Sequence, residues 1–338
     1  MNARMRRWWQ GDPTTPEVTS PDDPDLRRLL ERVAPGSETS DLGGCFCVNV
    51  RLHQPGLVLR VQPRFVSRQR VLALQDIRRQ LAHRGLLVGM PRTWRGRPLL
   101  RCRGCLVELE TYVPHAKPEA TWESYAWMFG GMGRLHRELA QIEVALPRPV
   151  VSTYAPPGSL RRWLPAAERA VAHDPVAADM AALVRRLLPV LRRRWVPASA
   201  LPRHLIHGDV RLGNIGLTPE GETLYLDFGF AAVRPRIHEL AYSLSWMILR
   251  PDGSGTADTF CWDKVPALVE EYEDAAGTVL TPVERKALTP YIAAVPLYHA
   301  ATVGFHADPV AQLRDDRDGY AFLRISEWLL ANPAAPLG

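Results

Sequence analysis

The sequence predicts an α+β protein with its strands in the first third of the chain and helices over most of the remainder. Short apolar runs between glycines and prolines indicate strands, and they occur mainly before residue 113. From Thr121 onward, apolar residues recur at the spacing of one helix face. Length is a third observation, because 338 residues suffice for one large or two modest domains.

The predicted elements of the first third are a short helix, four strands and a longer helix. Residues 1–22 are rich in Pro, Thr and Asp and are expected to be a disordered lead-in. The elements that follow are a helix at 23–33, strands at 46–52 and 57–61, a helix at 69–84 and two strands within 91–113.

The rest of the chain is predicted to be helical apart from two short buried strands, at 205–206 and 224–226. A turn at 218–222 lets the chain double back between these strands. The helices are predicted at 122–139, in one or two pieces at 160–195, at 237–244 and within 246–330.

Composition and charge limit the classes of function. With 46% hydrophobic and 23% charged residues, the sequence is typical of a soluble globular protein. It has no apolar run of about 18 residues and no signal peptide, so we expect no membrane span and a cytoplasmic location. Residues 1–200 carry a formal charge of +13 and residues 201–338 one of −7. The basic part suits a polyphosphate, whereas nucleic-acid binding is not expected because no motif supports it.

The five cysteines suggest a weaker alternative. Cys45 and Cys47, together with Cys102 and Cys105, have a spacing that would suit a four-thiolate zinc site in an interaction protein. Both pairs lie in apolar, strand-like segments, where cysteine is an ordinary small hydrophobic residue. Without a secretory signal we expect these thiols to be reduced.

The segment 205–230 carries the pattern that indicates chemistry. Asp209 is followed by Asn214 and, after the turn at 218–222, by Asp227. If the chain doubles back there, Asn214 and Asp227 lie side by side, and two oxygen ligands suit Mg2+. Asp209 would then stand beside the metal ion and accept a proton from an attacking hydroxyl group. Phosphoryl transfer requires this arrangement.

The same residues resemble the catalytic signature of the aminoglycoside phosphotransferase and choline kinase family. The shared pattern is His207-Gly208-Asp209, Asn214 and then Asp227-Phe228-Gly229. The resemblance implies a two-lobed, protein-kinase-like fold, with a small antiparallel-sheet N-lobe at 23–113 and a larger, mostly helical C-lobe at 114–332. It also implies ATP and Mg2+ as cofactors, and a small molecule, such as an aminoglycoside or an amino alcohol, whose hydroxyl group accepts the γ-phosphoryl group.

The resemblance also assigns nucleotide-binding roles in the N-lobe. Gly43 and Gly44 take the place of the nucleotide loop, where backbone amides approach a polyphosphate. Arg60 takes the place of the strand lysine that binds the phosphates, since no lysine precedes Lys117. In the family an acid on the next helix faces this cation. Asp76 is the candidate here, with Gln75 as the other residue for that position.

Two other kinase-like hypotheses stay open. The missing strand lysine fits a nucleotide-binding pseudokinase that has lost turnover. A protein kinase is less favoured, because few residues separate Gly229 from the helix at 237–244, whereas protein kinases need a long activation segment there. Two polar residues are given structural roles, His136 as a packed core residue and Glu239 as a hydrogen-bonding group.

Overall fold

The computed structural model falls into two compact units. The first unit comprises residues 1–117, 142–150 and 216–226, and the second comprises 118–141, 151–215 and 227–338. Within them, the structure describes residues 18, 20–44, 47–149, 152–249, 255–306, 308–315 and 319–337.

The elements up to residue 111 alternate between strands and two helices. They are α1 (Pro24–Val33), β1 (Thr39–Asp41), β2 (Val48–Leu52), β3 (Leu57–Val61), α2 (Arg68–His83), β4 (Leu87–Val88), β5 (Pro91–Arg92), β6 (Leu100–Cys102) and β7 (Cys105–Thr111).

Helices dominate the remainder of the described chain. The elements are α3 (Trp122–Leu139), α4 (Pro157–Val171), α5 (Pro175–Arg194), β8 (Arg203–Ile206), β9 (Ile215–Leu217), β10 (Thr223–Tyr225), β11 (Ala232–Pro235), α6 (Arg236–Leu249), α7 (Val265–Ala276), α8 (Pro282–Thr302), α9 (Pro309–Asp315) and α10 (Gly319–Ala331).

The first unit is built on an antiparallel sheet. Its strand order is β1-β2-β3-β7-β5, and β6 also pairs with β7. Helix α1 begins where the side chain of Asp23 accepts hydrogen bonds from the N–H groups of Asp25 and Leu26, which the helix itself leaves unsatisfied. One face of α1 and one face of the sheet share an apolar core that includes Leu26, Leu29, Val50, Leu59 and Val107.

Close helix packing shapes the second unit. A Cβ atom at Gly133 of α3 would lie 2.4 Å from the carbonyl oxygen of Tyr272 on α7, so only glycine permits this approach. Helix α8 begins with a capping box formed by Thr281 and Glu284. Helix α6 is apolar around most of its circumference and is buried accordingly. Two of its buried polar side chains, Glu239 and Ser243, form hydrogen bonds with the loop that follows β8.

Strand β8 pairs antiparallel with β11, and Ile206 lies opposite Ala232. The prediction that the chain doubles back at 218–222 is confirmed, because β9 and β10 pair around that turn. The partner of β8, however, is β11 and not the predicted strand at 224–226, which pairs with β4 instead. Since β11 follows the turn at 228–230 directly, it reaches β8 without a crossover, and the pairing brings that turn beside the loop after Ile206.

Most predicted elements are confirmed, with differences of a few residues at their ends. The predicted lead-in at 1–22 lies mostly outside the described residues. Helix α6 begins at Arg236, soon after the Asp-Phe-Gly turn, so the short connection expected there is present. In the described ranges, no helix combines the length and apolarity needed to cross a membrane.

Candidate active site

The loop after β8 depends on a glycine with a left-handed backbone. Gly208 has a φ of +87°, and a Cβ atom there would lie 2.6 Å from the carbonyl oxygen of Phe230. The ring of Phe228 packs on His207, with ring centroids 4.7 Å apart. A larger residue at 208 would therefore separate this loop from the turn at 228–230.

The carboxylate of Glu239 anchors the loop from α6. Its oxygens accept hydrogen bonds from the backbone N–H groups of His207 and Val210, each at 3.0 Å, on either side of Asp209. Nε2 of His136 lies 2.8 Å from the same carboxylate. Burial alone would raise the pKa of Glu239, but the hydrogen bond and charge of His136 lower it to about 2. The predicted structural roles of Glu239 and His136 are thus confirmed.

Three other side chains hold the loop, although no motif in the sequence marks them. Ser243 Oγ donates to the carbonyl oxygen of Val210 at 2.6 Å. Thr153 Oγ1 donates to the carbonyl oxygen of Gly208 at 2.7 Å and lies 3.1 Å from Nε2 of His238. Ser243 follows Glu239 by one helical turn, so the two side chains lie on the same face of α6. This spacing is the sequence feature that could have indicated the contact of Ser243 with the loop.

We expect stability to fall as the pH drops below about 6.5, in part because of His238. Burial lowers the pKa of His238 to about 3, so its imidazole is neutral in the folded protein at neutral pH. The unfolded chain takes up a proton at about pH 6.5 and the folded chain does so only near pH 3. Stability is therefore lost between these values, by about 2 kcal/mol near pH 5.

Urea unfolding between about pH 7 and about pH 5 measures this loss. His238→Gln keeps a hydrogen-bond donor but cannot titrate, so it should flatten the dependence of the free energy of unfolding on pH. The same change at His173, which is exposed, should leave the dependence as it is in the parent. Equal slopes for all three proteins would contradict the neutral state assigned to His238.

Asp209 is a buried carboxylate, and both of its oxygens accept hydrogen bonds. Nε of Arg211 donates to Oδ1 at 2.8 Å, and a second guanidinium nitrogen donates to Oδ2 at 3.2 Å. Nδ2 of Asn214 donates to Oδ2 at 2.7 Å and to the backbone carbonyl oxygen of Asp209, also at 2.7 Å. Burial raises the pKa of Asp209, and the charge and hydrogen bond of Arg211 oppose that shift.

Asp227 begins the turn at 228–230 with a left-handed backbone, at φ 55° and ψ 67°. Its Oδ1 accepts a hydrogen bond from the N–H group of Gly229 at 3.3 Å. Its charge is close enough to Asp209 to raise the pKa of that residue further. Asp209 therefore interacts with both other residues of the predicted pattern, with Asn214 through a hydrogen bond and with Asp227 through its charge.

The donor atoms at this place suit Mg2+. The amide nitrogen of Asn214 is engaged with Asp209, so its carbonyl oxygen is the atom that can bind a cation. With the carboxylate of Asp227 it gives hard oxygen ligands from two residues, which is the number that Mg2+ usually takes from a protein.

The described residues contain no group of three or more His, Cys, Asp or Glu side chains placed to hold a metal ion. Cys102 and Cys105 lie opposite each other in β6 and β7, where both are buried in the core. Cys45 lies outside the described residues. The thiols of β6 and β7 therefore act as small apolar side chains in the first unit.

In the first unit, Arg60 faces an acid on β7 and not one on α2. A guanidinium nitrogen of Arg60 lies 3.6 Å from Oε1 of Glu110. Asp76 is exposed on α2, where it accepts a hydrogen bond from Gln80 at 2.9 Å. The expectation that Asp76 serves the nucleotide site is therefore corrected. Gln75 is the buried residue of the two, because one step along a helix turns a side chain by about 100°.

Arg78 and Glu108 complete a buried network around Arg60. Arg78 is paired with both Glu108 and Glu110, and their charges raise its pKa although burial acts in the opposite direction. The two glutamates alternate along an apolar strand, so their side chains share one face, and Glu108 pairs with Arg60 in the ladder. Glu108 also accepts hydrogen bonds from Gln62 and Gln75.

The loop between β1 and β2 contains the two predicted glycines. Gly43 and Gly44 have φ values of +73° and +140°, and a Cβ atom at Gly44 would lie 2.5 Å from the carbonyl oxygen of Cys47. Asp41 Oδ1 accepts a hydrogen bond from the N–H group of Gly43 at 2.8 Å, and Nδ2 of Asn49 donates to the Gly43 carbonyl oxygen at 2.7 Å. These contacts fix a loop conformation that only glycine adopts readily.

An antiparallel-sheet unit and a mostly helical unit are the architecture of the protein-kinase-like fold. Residues 48–288 match the phosphotransferase enzyme family, and the chain belongs to that family. A search of curated proteins found no match.

Solved structures share this fold at low sequence identity. A microcompartment-associated aminopropanol kinase has a TM-score of 0.69 at 16% identity, over 93% of this chain and 99% of that one. Amicoumacin kinase in complex with AMP-PNP, Ca2+ and Ami has a TM-score of 0.65 at 17% identity, over 91% and 94%. An aminoglycoside phosphotransferase from Alicyclobacillus acidocaldarius has a TM-score of 0.63 at 13% identity, over 90% and 94%.

Proposed function

We propose that the protein transfers the γ-phosphoryl group of ATP, with Mg2+, to a hydroxyl group of a small molecule. The observation that carries this proposal is the environment of the buried carboxylate of Asp209. Asn214 donates a hydrogen bond to it, and the negative charge of Asp227 raises its pKa. Membership of the phosphotransferase enzyme family supports the same reaction class.

Each predicted site residue has a distinct task in this proposal. Asp209 orients the hydroxyl group of the acceptor and takes up its proton as the new oxygen–phosphorus bond forms. Asn214 and Asp227 would hold Mg2+, which neutralises phosphate charge when bound. In the first unit, Arg60 and the backbone of the loop at 43–44 bind phosphate oxygens.

The acceptor is expected to be a small molecule with a hydroxyl group. The similar structures include phosphotransferases named for aminopropanol, amicoumacin and spectinomycin, so the names of the similar proteins do not select one acceptor. A test panel should therefore include aminoglycosides, spectinomycin, amicoumacin, aminopropanol, ethanolamine and choline. ATP labelled in the γ-phosphoryl group, with mass detection of the acceptor, identifies the phosphorylated product.

We expect acceptor-dependent transfer that stops when EDTA removes the metal ion and resumes when Mg2+ is restored. Asp227→Asn weakens a metal ligand, so the Mg2+ concentration for half-maximal activity should rise by at least about tenfold, equivalent to about 1.4 kcal/mol of binding. Asp258→Asn, at an exposed position of the same unit, is the matched control and should not change it. Full activity in EDTA, or an unchanged Mg2+ requirement for Asp227→Asn, would contradict the metal assignment.

The second candidate function is nucleotide binding without turnover. Two observations favour it, namely Arg60 in place of the family lysine and the pairing of both Asp209 oxygens with other side chains. Isothermal titration with ADP and Mg2+, run beside the acceptor panel, separates the two. Binding with no transfer to any acceptor and no ATP hydrolysis above that of Asp209→Asn would favour this candidate over the enzyme.

A further inference from the structure

Arg211 forms an ion pair with Asp209, the residue proposed as the catalytic base. Its guanidinium donates to both carboxylate oxygens of Asp209, at 2.8 and 3.2 Å, while Asn214 donates to one of them. Both oxygens of the carboxylate that must meet the attacking hydroxyl group are thus covered by donors. Resting on the proposed function, this geometry means that the hydroxyl group can replace the donor at Oδ1 of Asp209 only if Arg211 moves.

The pair is built so that the arginine can move and the aspartate cannot. The Arg211 side chain is 37% exposed, whereas that of Asp209 is 4% exposed and the backbone on both sides of it is anchored by Glu239. When the guanidinium leaves, it can be solvated or paired with another anion because it is partly exposed, and the carboxylate keeps the hydrogen bond from Asn214. The guanidinium carbon of Arg211 also lies 5.1 Å from the ring centre of Trp246, a half-buried residue of α6. That ring supports the guanidinium when the carboxylate contact is lost.

Phosphoryl transfer supplies the anion that competes for Arg211. The transferred group spreads negative charge over its equatorial oxygens, and a guanidinium binds phosphate oxygens with two parallel hydrogen bonds. Since Asp209 must reach the attacking hydroxyl group, the phosphorus atom lies within a short distance of Asp209 during the reaction. Arg211 follows Asp209 by two residues, so a rotation of its side chain changes its partner from carboxylate to phosphoryl group.

We propose that Arg211 is a catalytic residue that pairs with Asp209 in the resting protein and binds the transferring phosphoryl group during the reaction. The acceptor oxygen forms its bond to phosphorus, the bond from phosphorus to the β-phosphate oxygen breaks, and ADP leaves with that electron pair. The acceptor proton passes to the carboxylate of Asp209, which Arg211 has released. Arg211 stays protonated throughout and stabilises the charge that develops on the phosphoryl oxygens.

The competing interpretation is that Arg211 only fixes the position of Asp209. Arg211→Gln and Arg211→Lys distinguish the two when they are compared with Arg234→Gln. Arg234 is a matched control because its guanidinium carbon lies 5.0 Å from the ring of Tyr154 and it also donates to a neighbouring side chain, Ser152. Both arginines therefore combine an aromatic contact with a hydrogen bond in the same unit.

The first measurement is the affinity of the protein for ADP and Mg2+, with and without aluminium fluoride, which mimics the phosphoryl group in transfer. Aluminium fluoride should increase the affinity of the parent and of Arg234→Gln for ADP. Arg211→Gln should bind ADP alone as the parent does but lose most of the tightening, and Arg211→Lys should keep part of it. A group that only positions Asp209 would leave the tightening intact, because aluminium fluoride does not need a base.

The second measurement is turnover, by slow ATP hydrolysis or with an acceptor from the panel. We expect Arg211→Gln to lower kcat by about 10²- to 10³-fold, as the loss of one preorganised donor does, and to leave KM for ATP within about threefold. The role of Arg211 would be overturned if Arg211→Gln had an unchanged or raised kcat. It would also be overturned if aluminium fluoride increased the affinity of this variant for ADP as much as it does in the parent. A parent that turns over no acceptor and shows no fluoride effect would instead overturn the proposed function. Thermal unfolding of each variant shows that the comparison is made on folded protein.

Discussion

Replacing Asp209 by asparagine is expected to lower kcat for phosphoryl transfer by about 10³-fold. Asparagine keeps the size of the side chain and one carbonyl oxygen, which can still accept the hydrogen bond from Asn214, whereas its amide nitrogen cannot accept the one that Nε of Arg211 gives to Oδ1. It cannot take up the proton of the attacking hydroxyl group, which must then leave to water. Binding of ADP and Mg2+ should change little, because Asn214, Asp227 and Arg60 remain in place. Steady-state kinetics and ADP titration of the same preparation measure both quantities.

Asp76→Asn is the matched control for this variant. Asp76 was the other acidic residue predicted for the site, but it is exposed on α2 and bonded to Gln80. Its replacement should leave kcat and KM unchanged. If Asp209→Asn retained parental turnover, or if Asp76→Asn lost activity to a similar degree, the assignment of the base would be wrong.

Replacing Arg78 by methionine is expected to have the largest effect on stability. Arg78 is buried between Glu108 and Glu110, and its removal leaves two buried carboxylates with much less compensating charge. Breaking a buried ion pair in this way costs about 3–5 kcal/mol. Urea unfolding should show the loss in the transition that reports on the first unit, since two compact units need not unfold together.

Removal of the carboxylates as well should restore part of this stability. In the triple variant Arg78→Met, Glu108→Gln, Glu110→Gln no uncompensated acid remains, so most of the loss should be recovered. Arg60 would lose its partner on β7 in this variant, and affinity for the nucleotide should fall below that of the parent. Arg79→Met, on the partly exposed side of the same helix, is the control and should cost little. A cost for Arg78→Met no greater than that for Arg79→Met would contradict the buried network.

The conformation of the loop that carries Asp209 could be predicted from sequence because its geometry is local. Gly208 is needed for a left-handed backbone, and Asn214 lies close enough along the chain to reach Asp209. The partner of Arg60 could not be assigned by resemblance, because the phase of α2 turns Asp76 to the solvent. The acidic partner of Arg60 comes from β7. Two glutamates in a mostly apolar strand are the sequence feature that could have indicated it. The strand partner of β8 depended on tertiary pairing, which the turn at 218–222 alone did not specify.

The contact between Arg211 and Asp209 could not be predicted from the sequence either. Family resemblance assigns Asp209 a role but says nothing of the residue two positions later, and several rotamers of an arginine would be compatible with the loop. The anchoring of the loop by Glu239 and Thr153 depends on side chains distant in sequence. Such contacts follow from packing within the second unit and not from any local pattern.

We propose that Asn214 and Asp227 hold one metal ion beside Asp209, and the phosphotransferase assignment of this site depends on that ion. A crystal structure with AMP-PNP and Mn2+ in place of Mg2+ tests it directly, because the anomalous signal of Mn2+ locates the ion independently of any assumed chemistry. We expect a peak within coordination distance of Oδ1 of Asn214 and of a carboxylate oxygen of Asp227, with the nucleotide phosphates completing the coordination. A nucleotide bound with no such peak, or with Mn2+ held by other residues, would contradict the account.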